Sequence, residues 1–168
     1  MEFFKLFKKD ADPIVTYRED KNGVELIDEG ILFGGTNLFL KWGVDLDALV
    51  KQLPLKKERR TDRTIYRFGE QDILNGLTLD LACILWDAKS EGYPKLLDSI
   101  EFLSMYDKGA VDRLKIIASH LEAELGQPVE KELNGTDVSL KWKVKGTIAS
   151  LIYLEKQSNK LHFEISKV

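Results

Sequence analysis

The chain has 168 residues, 43% hydrophobic and 32% charged, with a net charge of −3 and a pI near 5.5. That size and apolar content suit a single domain, 1–168, able to bury about two-thirds of its unfolded surface without covalent staples. The acidic balance argues against nucleic-acid binding, which clustered positive charge drives. The lone cysteine, Cys83, excludes an intrachain disulfide, and a cytoplasmic setting is the simpler expectation.

Residues 1–10 mix Phe3, Phe4, Leu6 and Phe7 with Lys5, Lys8 and Lys9. The lysines break any signal-peptide core, and a helix this short is marginal alone, so a loose segment is expected. No later stretch approaches the roughly 18 apolar residues of a membrane span. Asn22-Gly23 is a strong hairpin signal, with strands expected at 14–17 and 24–27. Leu38, Leu40 and Trp42 then alternate with Phe39 and Lys41 at period two. Asp45 is placed to cap a short helix burying Leu46, Leu49, Val50 and Leu53, stopped by Pro54. Lys56, Lys57, Arg59, Arg60 and Arg63 follow as a basic run read as a solvated connector, with a phosphate- or acid-binding patch as the alternative. It carries no aromatic residue on which a nucleic-acid base would stack.

Strands are expected at 64–68, at 77–86 and at 99–105. In the second, Leu77, Leu79, Leu81, Cys83 and Leu85 form one face, and Thr78, Asp80, Ala82, Ile84 and Trp86 the other. From Ala110 to Leu125, the residues Val111, Leu114, Ile117, Ala118, Leu121 and Leu125 share a helical stripe that Gly126 terminates. Val138, Leu140, Trp142 and Val144 mark a half-buried strand, and strands at 147–155 and 161–166 complete a meander.

One pattern occurs twice at matching spacing. Leu49, Leu53, Pro54, Thr61, Asp62 and Phe68 are echoed by Leu121, Leu125, Pro128, Thr136, Asp137 and Trp142. This predicts an α+β fold of two helix–β–β–β units, 44–105 and 110–168. They would share one mostly antiparallel sheet with the helices on one face and extra amino-terminal strands.

Chemistry is sparse. His120 and His162 lie far apart in the chain, neither with a metal-ligand partner at helical spacing. Glu124 beside His120 reads as an ion-pair neighbour, and His162 as solvent-facing. No nucleophile elbow, phosphate loop or dinucleotide fingerprint occurs, so no catalytic, cofactor or metal residue is assigned. Cys83 reads as a small core hydrophobe. Trp42 and Trp86 each end a strand beside a loop, as interface anchors do. With the acids Asp87, Glu91, Asp107 and Glu155 they form the expected partner-binding set.

The sequence therefore points to a non-enzymatic protein-binding domain. An acidic protein neutralising a basic toxin is one form of it, since acidic surface steers such encounters. The alternative is a small-molecule or nucleotide sensor using a cleft between the two units. A cleft with a strongly shifted carboxylate near His120 would favour a third reading, an enzyme of unrecognised type. Homodimerisation through an exposed strand at 161–166 is a further expectation.

Overall fold

The structure is a computed structural model that describes residues 14–19, 21–86, 95–104, 108–157 and 159–168. Among the described residues antiparallel sheet dominates, with 51% strand and 18% helix. The small sheet has the order β1-β3-β2, formed by β1 (Thr16–Tyr17), β2 (Gly30–Phe33) and β3 (Leu38–Lys41). The large sheet has eight strands in the order β4-β5-β6-β7-β11-β10-β9-β8. These are β4 (Lys56–Arg59), β5 (Arg63–Ile73), β6 (Leu77–Trp86) and β7 (Ser99–Ser104), then β8 (Glu130–Asn134), β9 (Asp137–Val144), β10 (Thr147–Leu154) and β11 (Lys160–Lys167).

Among the described residues there are two α-helices, α1 (Leu46–Gln52) and α2 (Ala110–Leu125). No described helix is long and apolar enough to cross a membrane. The α+β expectation of helix–β–β–β repeats with helices on one face is thus corrected. The fold is mostly β, its shorter helix has 7 residues, and the amino-terminal strands form a separate sheet instead of extending the large one.

The misreading has physical causes. Both edge strands of the large sheet are polar, so neither shows a buried face from which to read a period. All of β8 is exposed, and β4 occupies the basic run expected as a connector. The 14–27 hairpin also fails to form, because Asn22 organises a compact turn instead. Its Oδ1 accepts the Val24 amide at 2.8 Å and its carbonyl accepts the Leu26 amide at 3.2 Å. Leu26 and Ile27 are buried in that turn. The Ile27 carbonyl accepts both Trp42 Nε1 at 2.8 Å and Thr147 Oγ1 at 3.0 Å, pinning the turn to β3 and β10. At Gly30 a Cβ would fall 2.1 Å from the Leu40 carbonyl oxygen, so only glycine fits.

Helix α1 begins at Asp45, whose Oδ1 accepts the Ala48 amide at 2.8 Å, and its apolar face buries Leu46 and Leu49. Helix α2 lies against β10 and β11 and ends at Gly126, φ +83°. Trp142, fully buried in β9, donates its indole N–H to the Gly126 carbonyl at 2.8 Å and so ties the helix end to the sheet. One continuous buried cluster runs from Ile31 and Phe33 of the small sheet to Leu161, Phe163 and Ile165 of β11.

Two features of the large sheet position the site. First, β6 and β7 pair at a single position, Ala82 opposite Glu101, whereas β11 pairs along the whole of β7 from Leu161–Ser104 to Ser166–Ser99. The sheet is therefore split beside that one rung. Second, β11 is interior, held by β7 and β10, so residues 161–166 offer no free edge for the expected homodimer.

Candidate functional site

Along β6, Leu79, Leu81 and Cys83 face the core, which leaves Asp80, Ala82, Ile84 and Trp86 on the opposite face. The β5 register sets Arg63 opposite Trp86, Ile65 opposite Ile84 and Arg67 opposite Ala82. A β-bulge at Phe68 follows immediately, between Arg67 and Gly69, so this aligned face stops at Arg67. Glu101, Phe102 and Leu103 of β7, together with Arg60, complete the lining. Together they enclose a cavity of about 230 Å³ beside the split between β6 and β7.

Trp86 is 61% exposed, the guanidinium of Arg63 sitting 4.6 Å from its ring centroid. Arg63 meets Asp62 only at 3.4 Å, and its buried Nε has no hydrogen-bond acceptor among the described residues. Glu58 organises the other cations: its carboxylate holds Arg67 Nε at 3.0 Å, Lys56 at 3.2 Å and Arg60 at 3.5 Å. The bonds from Arg67 and Lys56 lower the Glu58 carboxyl to about 2. The cavity wall proper carries three guanidiniums, Arg60, Arg63 and Arg67, against two carboxylates, Asp80 and Glu101. Glu58, just outside the wall, already pairs with Arg60 and Arg67, so guanidiniums and carboxylates here balance three to three, and Arg63 is the guanidinium that Glu58 does not hold.

Glu101 is nearly buried and takes a hydrogen bond from the His162 ring at 2.9 Å. Glu164 lies directly opposite Glu101 across the β7–β11 ladder. Like charges at opposed positions repel. Burial pushes the Glu164 carboxyl above the ordinary glutamate value, His162 opposes that shift, and the charges of Glu101 and Asp98 add to it. His162, expected to face solvent, is half-buried and also bonds Glu101.

The other expected residues scatter. Trp42 is half-buried, donates its indole N–H to the Ile27 carbonyl and does not line the cavity. Glu155 is exposed in a short 3₁₀ turn (Glu155–Gln157), where it accepts from Thr136 while its amide donates to Asp137 at 2.9 Å; it does not line the cavity. Asp87, Glu91 and Asp107 lie outside the described residues. His120 bonds the Leu74 carbonyl at 2.6 Å, and Asn75 rather than His120 engages Glu124. Of the expected set, then, the cavity includes Trp86. Arg60 and Arg63 belong to the basic run whose alternative reading was an acid-binding patch; Arg67 and Glu101 were missed, although the second-face alternation Arg63, Ile65, Arg67 against Asp80, Ala82, Ile84, Trp86 is a signal for Arg67.

Cys83 is fully buried, its thiol pushed up to about 12 mainly by burial, which removes it from nucleophilic chemistry at neutral pH. Among the described residues no three His, Cys, Asp or Glu side chains are grouped to hold a metal ion. Compared with protein-family models, curated proteins and solved structures, the chain matches none.

Proposed function

We propose that this chain is a protein-binding domain that docks an acidic segment of its partner at the Arg60–Arg63–Arg67–Trp86 cavity. The observation that carries the reading is Trp86, an exposed indole with an incompletely satisfied arginine stacked on it. Tryptophan and arginine are the side chains most enriched at the energetic centres of protein interfaces. Guanidiniums recognise carboxylates with two parallel hydrogen bonds, and Arg63, which Glu58 does not hold, is the cation that favours an acidic contact.

Volume separates this from the sensor reading. At about 230 Å³ the cavity is smaller than the roughly 300–1,000 Å³ that small-molecule sites occupy, yet large enough for one or two side chains. The net charge of −3 still suits a toxin-neutralising protein, but this cavity favours an acidic contact surface on the partner rather than a basic one.

The test is binding of a fluorescently labelled glutamate decamer, with a lysine decamer as control, at low salt. The glutamate peptide is expected to bind. Binding should weaken as salt rises, and the double variant Arg63→Ala/Arg67→Ala should lose it. Preference for the lysine peptide, or glutamate binding unchanged in the double variant, refutes the reading.

A further inference from the structure

We propose that Asn134–Gly135, where β8 turns into β9, is a site of spontaneous deamidation that converts Asn134 to aspartate and isoaspartate while the chain stays folded. The site stands apart from the arginine cavity, on the outermost strand at the other end of the large sheet.

Asparagine followed by glycine is the reactive pair, because glycine has no side chain to hinder attack by its own amide nitrogen. Three such pairs occur, Asn22–Gly23, Asn75–Gly76 and Asn134–Gly135. Two of them sit in the same tripeptide, Leu74-Asn75-Gly76 and Leu133-Asn134-Gly135, so local sequence makes them equally reactive and the fold must separate them.

The Asn75 side chain is held at three points. Its Nδ2 donates to Asn22 Oδ1 at 2.9 Å and to Glu124 Oε2 at 2.7 Å, and its Oδ1 accepts the Gly23 amide at 3.0 Å. The attacking nitrogen is engaged as well, since the Gly76 amide donates to the Ile73 carbonyl at 3.2 Å. The same network holds Asn22, whose Oδ1 accepts from the Val24 amide at 2.8 Å and from Asn75, and Gly23 is buried. Asn134 has none of this. Its side chain and the Gly135 amide make no hydrogen bond among the described residues, and both residues are exposed. A Cβ at Gly135 would meet nothing within 4 Å. Leu133 is exposed where Leu74 is buried, so the residue before the pair does not anchor it either.

The reaction needs only water. The Gly135 backbone nitrogen gives up its proton and attacks Asn134 Cγ, and the new N–Cγ bond closes a succinimide ring. The Cγ–Nδ2 bond breaks, and Nδ2 leaves as ammonia with that proton. Water then adds at either ring carbonyl and opens the ring to aspartate or isoaspartate, with no change of oxidation state. Asn134 stands directly opposite Asp137, so the new carboxylate faces a like charge across the β8–β9 ladder, which weakens that end of the strand. Every residue of β8 is exposed, so a loosened end leaves the core covered. Each hydrogen bond that must break before attack slows it by about fivefold, and Asn134 should therefore convert at least ~tenfold faster than Asn75.

The test incubates the full chain at pH 8 and 37 °C, natively and in 6 M urea, and digests it at mildly acidic pH, where conversion is slow. Mass spectrometry of the peptides carrying Asn22, Asn75 and Asn134 follows the exchange of amide for acid at each. Conversion at Asn134 at least ~tenfold faster than at Asn75 in the native chain, with similar rates in urea, supports the proposal. A smaller native ratio, or no conversion at Asn134, overturns it. A ratio that persists in urea overturns it too, because sequence rather than fold would then set the difference. In Asn134→Asp, hydrogen exchange of the β8 amides should be faster than in wild type. Unchanged exchange there overturns the loosened edge while leaving the modification site in place.

Discussion

Replacing Trp86 and Trp142 separately by alanine discriminates an anchor from a core residue within one chain. Trp142 is 1% exposed, and its N–H satisfies the Gly126 carbonyl at the end of α2. Trp142→Ala therefore leaves a large cavity and an orphaned carbonyl, costing about 3–5 kcal/mol. Trp86 is 61% exposed, so roughly two-fifths of a side chain worth 150–250 Å² is covered, or about 60–100 Å². At about 25 cal/mol per Å² that is at most ~1.5–2.5 kcal/mol, and Arg63 can settle onto the vacated surface and recover part of it. The stacking of Arg63 contributes about 0.5–1 kcal/mol of attraction that is also lost. A net cost of about 1–2 kcal/mol is expected.

For a chain of this size each kcal/mol moves the Tm by about 2–4 °C. Thermal melts followed by circular dichroism should then show Trp142→Ala lowered by about 6–20 °C and Trp86→Ala by about 2–8 °C. Affinity for the glutamate decamer should fall about tenfold in Trp86→Ala, as for loss of an interface anchor. If Trp86→Ala destabilises as much as Trp142→Ala, or binds the peptide as well as wild type does, Trp86 is not the anchor and the reasoning fails.

Two further outcomes follow from the same geometry. Asp47 accepts hydrogen bonds from Lys57 and from the Tyr66 hydroxyl and faces Lys95 at 3.4 Å, and the Lys57 bond is the main cause that lowers its carboxyl to about 2. A lowered acid stabilises the fold above its ordinary value of 3.8, and that contribution disappears as pH falls through about 2. Asp47→Asn should therefore be less stable than wild type in urea at pH 6, by under about 1 kcal/mol because the side chain is half-exposed, and the gap should close by pH 2. A gap that persists at pH 2 would mean a packing effect instead. Cys83 should resist alkylation by iodoacetamide at pH 8 in the native protein and react fully in 6 M urea. Rapid native labelling, followed by mass spectrometry, would contradict its burial.

What could be read from the residues alone was whatever repeats within one element. The stripe of Leu114, Ile117 and Leu121 marks α2, the alternation of Leu140 and Trp142 marks β9, and Asp45 marks the start of α1, because each signal lies within a few residues of its consequence. The run from Leu77 to Trp86 showed both its faces for the same reason. Strand adjacency was beyond that reach. Lys56, Lys57 and Arg59 carry no apolar period, and become a strand because β5 offers its edge. Residues 161–166 alternate as an edge strand would, yet β7 claims their free side from sixty positions away. The cavity is a product of that pairing: Arg63 meets Trp86 through a hairpin register, and Glu101 meets His162 and Glu164 through the β7–β11 ladder. Hydrophobic period fixes which way a side chain points. Which other side chain it then faces depends on hydrogen bonds between strands distant in the chain, and only the assembled sheet decides those.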